Sequence, residues 1–151
     1  NKSILYGLQQ KNKMTQLIGK SKITVGFNDL APIQRTGSVN VLSSSVLSCL
    51  MEQAACKALE QDNIPFMNGK TSIGYKINIS HKRPSALGAC VNAVARVVKV
   101  KEDEVDFEIE AFDETGLIGT ANHIRKLVNI KDFEKNSSLK LNNEETGIKA
   151  K

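Results

Sequence analysis

Two hydrophobic rhythms divide this 151-residue chain. Over residues 46–59, apolar side chains recur at Val46, Leu47, Leu50, Met51, Ala54, Ala55, Ala58 and Leu59. That i, i+1, i+4, i+5 spacing lays them on one broad face of a helix. Ser43, Ser44 and Ser45 stand just before it, and a serine hydroxyl can accept from the unpaired N–H groups of a first turn. Beyond Lys70 the period shortens to two. Ile73, Tyr75, Ile77 and Ile79 alternate with Lys76, Asn78 and Ser80, which predicts a strand over residues 72–81. A second strand follows at residues 90–100. Val105, Phe107, Ile109 and Ala111 then alternate with Asp106, Glu108 and Glu110 in a third, and residues 117–130 make a long last one. The turns at 101–103 and 113–116 are too short for anything but antiparallel neighbours. Ahead of the helix, residues 22–28 alternate enough for one more strand. A loop over residues 29–40 comes next, marked by Pro32 and Gly37.

A sheet with one oily face needs a cover, and the helix at 46–59 is the sole candidate for it. The expected architecture is therefore α+β, a curved antiparallel sheet wrapped around a long central helix. Residues 21–135 make up this domain. Residues 1–20 read as an arm or short helix with isolated apolar anchors. Residues 136–151 read as a polar tail, disordered by composition.

Composition adds mainly exclusions. With 40% hydrophobic and 25% charged residues the chain is ordinary for a globular domain. No stretch approaches the ~18 apolar residues that span a bilayer. The opening NKSILYGLQQKNK has no continuous apolar core, so no secretory signal is expected. Cys49, Cys56 and Cys90 fit no metal or redox spacing, which points to reduced thiols in a cytoplasmic protein. A formal charge of +5 invites polyanionic partners. Five Phe, two Tyr, no Trp and scattered lysines argue against nucleic acid and leave a basic surface or a phosphate-bearing small ligand.

The candidate chemistry lies where the two rhythms meet. Glu52 is a carboxylate at the margin of an otherwise oily stripe, and such a group needs a partner or a role. Ser44 precedes it by eight residues, about 80° around the helix. His81 shares the parity of Ile73, Tyr75, Ile77 and Ile79, so its ring is expected to face the helix and meet Glu52 around one cavity. Gly74 has the opposite parity, and its bare backbone would let another chain segment or a ligand come close.

The stretches VLSSSVLSCLMEQAA, TSIGYKINISH and FDETGLIGTANHIRKLV resemble the hotdog-fold thioesterases of the fluoroacetyl-CoA thioesterase-like family. The resemblance spans roughly residues 22–133. It rests on a hydroxyl residue eight before the helical Glu, a glycine seven before the His, and the D-x-x-G-x-I-G…H-x-R run. It implies a catalytic set at Ser44, Glu52 and His81, with Gly74 as the active-site glycine. Serine stands at 44 where the family has threonine, and the interval from Glu52 to His81 is a few residues longer. No aromatic lies between Asp29 and Ser45, so selectivity for fluoroacetyl is not implied.

What the resemblance does imply is hydrolysis of a small acyl-CoA thioester, with coenzyme A as part of the substrate and no separate cofactor. Glu52 would act as general base or nucleophile, assisted by His81 and Ser44. The phosphates of coenzyme A call for cations at the entrance, for which Lys82, Arg83, Arg125 and Lys126 are candidates. By the same resemblance a homodimer is expected, with sites at the subunit boundary. The rival reading is a non-catalytic acyl-CoA-binding hotdog module, which would make no use of Glu52. A hydratase or dehydratase of the same fold would place an Asp/His pair near the helix start, which Ser43–Ser45 do not supply.

Overall fold

The helical and alternating patterns are realised as five strands and two long helices in a computed structural model that describes residues 17–148. In chain order these are β1 (Ile18–Thr24), the short α1 (Ala31–Gln34), α2 (Ser44–Leu59), β2 (Thr71–His81), β3 (Cys90–Val100), β4 (Glu104–Asp113), β5 (Gly116–Val128) and α3 (Ile130–Ile148). One antiparallel sheet holds all five strands in the order β1-β3-β4-β5-β2, so β1 and β2 are its edges.

The first strand sits four residues earlier than alternation predicts. Its helix-facing positions are Gly19 and Ser21, not large apolar residues, which hides it from a hydrophobicity pattern. Gly19 lies against the backbone of Ala54 and Ala58, where no side chain fits. The Ser21 hydroxyl donates to the Leu50 carbonyl at 2.6 Å. Small residues on both sides thus let β1 pack directly on α2.

Against the rest of the sheet α2 buries Leu47, Leu50, Met51, Ala54, Ala55 and Ala58, all at 1% exposure or less. Val91, Ala93 and Ala95 of β3 and Val105, Phe107, Ile109 and Ala111 of β4 face it. The helix is not enclosed, however. Ser45, Cys49, Gln53, Lys57 and Glu60 remain exposed along its other side, because the sheet covers one face only. The expected wrapped central helix is therefore realised as one long helix seated on the sheet.

Helix α3 replaces the disordered tail expected from Asn136. The Asn129 side chain accepts from the Asp132 N–H at 3.3 Å, capping the helix start. Ser137 and Ser138 bond back to the carbonyls of Phe133 and Glu134. A polar composition, which by itself suggests disorder, is thus compatible with a capped helix. The arm expected over residues 1–20 lies, but for residues 17–20, outside the described residues.

One irregularity in β2 sets up the site. The register on β5 steps from Gly74↔Arg125 to Lys76↔Ile124, leaving Tyr75 as the extra residue of a β-bulge. A bulge reverses which face the following side chains take. Tyr75 therefore turns outward, 64% exposed, under the Lys126 ammonium at 4.7 Å. Ser72 and Gly74 turn toward the helix instead, the reverse of the uninterrupted parity expected for this strand, while His81 stays inward as expected.

Candidate active site

The start of α2 builds the first half of the site. Ser43 is the cap, its hydroxyl accepting from the Val46 N–H at 3.1 Å. Relieved of that duty, Ser44 opens the helix with an exposed side chain. Its Oγ lies 2.8 Å from His81 Nδ1. The pair lines an open groove of about 380 Å³, shared with residues 36–39, Val41, Leu42 and Lys82. Burial pushes the His81 imidazole below its ordinary pKa, partly offset by a bond at the Arg83 backbone, so the ring favours its neutral form. Its buried Nε2 has no hydrogen-bond partner among the described residues.

Glu52 belongs to a second cluster, about 12 Å further along the helix axis. Its Oε2 accepts from Arg125 Nη1 at 3.0 Å and lies where a Cβ on Gly74 would come within 2.5 Å. Arg125 is only 6% exposed and is held on every side. Its Nε donates to Ser72 Oγ at 2.8 Å and its Nη2 to the Ser72 carbonyl at 3.2 Å. Nη1 also lies 3.2 Å from His123 Nε2. The opposite ring nitrogen of His123, Nδ1, is 2.8 Å from the Lys76 carbonyl, which can only accept. Nδ1 therefore carries the proton, and Nε2 receives the guanidinium N–H. The ring is neutral, so its 3.8 Å approach to Glu52 is not an ion pair. Burial first, then the Arg125 charge, push its pKa down against the pulls of the Lys76 carbonyl and Glu52.

Within one chain, then, the expected meeting of Glu52 and His81 does not occur. Ser44 is with His81; Glu52 is with Gly74. Of the four cations expected at a phosphate-binding rim, Arg125 is instead the buried partner of Glu52. Arg83 is occupied by the Leu117 and Thr115 carbonyls at 2.9 and 3.3 Å. Lys126 pairs with Glu104 at 2.8 Å beside outward-facing Tyr75. Lys82 and Arg83 both stand exposed on the groove without an ion-pair partner among the described residues, and of the two Lys82 alone makes no side-chain hydrogen bond among them. No cluster of three or more His, Cys, Asp or Glu side chains is placed to hold a metal ion among those residues.

The residues that sequence reasoning missed are His123 and Ser72. A signal for the first was present: H-x-R in a strand puts both side chains on one face, and an inward arginine demands the nearest buried acid.

The two depressed histidines carry a pH prediction. Between their lowered folded values and the unfolded value of 6.5, the unfolded chain binds more protons than the folded one. Stability that is full above pH 6.5 should therefore be lost as the pH falls through that window. Thermal melts should show Tm declining from pH 7.5 to 5.5, and the decline should be shallower for His123→Gln. A flat wild-type profile would contradict two neutral buried rings.

The comparisons with known proteins bear on the fold and the family. A Thermus thermophilus member of the thioesterase superfamily superposes with a TM-score of 0.76 at 21% identity, over 85% of this chain and 93% of its own. A hot-dog-like protein from Thermanaerovibrio acidaminovorans gives 0.73 at 20%, over 85% and 95%. The fluoroacetyl-CoA thioesterase FlK gives 0.72 at 19%, over 82% and 93%. A variant of that enzyme solved with acetyl-CoA gives 0.71 at 21%, over 82% and 95%. No curated protein sequence matches the chain. The neighbours establish the hotdog fold, and the family whose profile the chain matches defines the class, a thioesterase, that is, a thioester hydrolase. The sequence profile of the fluoroacetyl-CoA-specific thioesterase family (FlK) matches residues 25–131, and the chain belongs to that family.

Proposed function

We propose that the protein hydrolyses a small acyl-CoA thioester as a homodimer, each site joining the Ser44–His81 groove of one copy to the Glu52–Gly74 end of the other. The observation that carries this reading is the position of β2. It is an edge strand with Gly74 and Glu52 toward one end and His81 and Ser44 at the other. Two copies paired antiparallel along that free edge, about a two-fold axis near its midpoint, set unlike ends together. The exposed side of α2 would then also face its counterpart, covering Ser45, Cys49 and Gln53.

The chemistry fits such a composite site. The acyl carbonyl lies in the groove, where unpaired N–H groups of the first turn of α2 and its positive end stabilise the developing oxyanion. Ser44 and His81 hold the carbonyl and the water. Glu52 either deprotonates that water or attacks the carbonyl carbon to give an anhydride that water then opens. In both routes the C–S bond breaks, and a thiolate with a conjugate pKa of about 8.5 leaves with little acid help. Val39, Val41 and Leu42 line the groove with no aromatic among them, consistent with a small acyl group of no special fluoroacetyl preference. Coenzyme A enters as part of the substrate, and no cofactor is called for. Three free thiols fit a reducing, cytoplasmic setting.

Light scattering at micromolar concentration tests the assembly. The expected mass is twice the 16.5 kDa of the chain, and a monomer that is active on acyl-CoA would overturn the composite site. Lys82 supplies a second test. Lys82→Ala should raise KM for acyl-CoA by about three- to tenfold at low salt with kcat unchanged, a difference that fades as salt screens the phosphates. Equal KM values at all ionic strengths would remove Lys82 from the entrance.

A further inference from the structure

We propose that His123 and Arg125 are positioning residues: together they grip the Glu52 carboxylate by Oε2 and so make Oε1 the reacting oxygen. The inference rests on the role of Glu52 proposed above and goes beyond it by naming the atom and the residues that present it. The grip has three parts. Arg125 spends Nε, Nη2 and one N–H of Nη1 on Ser72 and His123, which fixes the plane of its guanidinium between β2 and β5. Its other Nη1 hydrogen is thereby aimed at Oε2 at 3.0 Å. Gly74 completes the seat, since any side chain there would collide with Oε2.

His123 matters because of what it is not. A second N–H on Nη1 needs an acceptor, and a carboxylate in that place would compete with Glu52 for the guanidinium charge. A neutral imidazole accepts without competing, so Arg125 is matched in charge by Glu52 alone. The ring is in turn held by the Lys76 carbonyl, in the residue that follows the Tyr75 bulge. A local insertion in the edge strand is thus transmitted through His123 and Arg125 to a single carboxylate oxygen.

What remains is Oε1. It has no hydrogen-bond partner among the described residues, on a side chain that is 39% exposed. Its lone pairs are the ones free to take a proton from water or to attack a carbonyl carbon. An ungripped glutamate would spread over its rotamers and offer either oxygen in poor geometry.

The experiment is a cycle of variants assayed by thiol release from acyl-CoA, with thermal melts alongside. His123→Phe keeps a ring against Phe107 but removes the acceptor. It should lower kcat about ten- to a hundredfold with little change in KM. His123→Gln, whose amide oxygen can accept from Nη1, should recover most of that loss. Placed on Glu52→Gln, His123→Phe should cost nothing further, because it acts through the carboxylate that is already gone. Should His123→Phe fold poorly, Ser72→Ala, which frees Arg125 Nε, carries the same cycle. Equal losses in both backgrounds, no advantage of Gln over Phe, or unchanged kcat would each overturn the positioning role. Those results leave the hydrolase reading standing, whereas wild-type turnover by Glu52→Gln alone removes it.

Discussion

Glu52→Gln should leave the protein folded and lower kcat by at least about a hundredfold, the loss typical of removing an acid–base group. The substitution keeps the shape and one acceptor oxygen, so the amide can still receive Arg125 Nη1 in the seat beside Gly74. What it removes is the negative charge. A neutral amide neither takes a proton from water at neutral pH nor attacks a thioester, so both routes open to Glu52 close together. Some stability should also go, since Arg125 at 6% exposure loses its counter-ion. The loss is limited because the Glu52 side chain is 39% exposed and water can reach the pair. Steady-state thiol release together with a melting curve separates the two effects. Turnover within a few-fold of the wild type would take Glu52 out of the chemistry.

The largest effect on stability should come from Gly19→Ala. A Cβ on Gly19 would fall on the Ala54 carbonyl oxygen and the Ala58 amide nitrogen, with the Ala58 Cα at 3.0 Å. All three are backbone atoms, so no rotamer change can make room. Relief requires β1 to back away from α2, which would strain the 2.6 Å bond from Ser21 to the Leu50 carbonyl and the bond from Gln61 to the Ile18 carbonyl. Overpacking in well-filled cores costs about 1–3 kcal/mol when side chains can shift, and the cost should exceed that here. A fall in Tm of about 10 °C or more, or failure to accumulate as soluble protein, is the expected result. A melting point within about 2 °C of wild type would show that β1 and α2 do not meet as described.

The same pair of residues shows why part of the fold was legible and part was not. Where large apolar residues carry the packing, as in α2, β3, β4 and β5, period alone locates the element to within a few residues. Where the packing depends on absence, as at Gly19, alternation has nothing to register, and β1 was expected four residues too late. Helix α3 escaped for a related reason: its polar sequence carries no apolar stripe, and its start is marked only by the Asn129 cap.

The candidate site divides along the same line. Residue type and spacing brought Ser44, Glu52, Gly74 and His81 forward but not their pairing, which is Ser44 with His81 and Glu52 with Gly74. Their grouping into one cluster was wrong for a single chain. Spacing on a helical wheel gives an angle and says nothing of the ~12 Å between residues eight apart along the axis. Strand parity, in turn, assumes an unbroken ladder, and the Tyr75 bulge breaks it.

By itself, then, the sequence determined which residues could pack a helix on an antiparallel sheet and which side chains were chemically out of place among them. Those are properties of short-range order, readable at periods of two and 3.6. Tertiary structure decided the partners. The inward turn of Ser72 and Gly74 exists because one residue is unpaired in β2, and the pairing of Arg125 with Glu52 exists because β5 lies beside that bulge and beneath α2. A charge goes where the nearest opposite charge and the last unfilled hydrogen bond happen to be, and that depends on register between strands fifty residues apart.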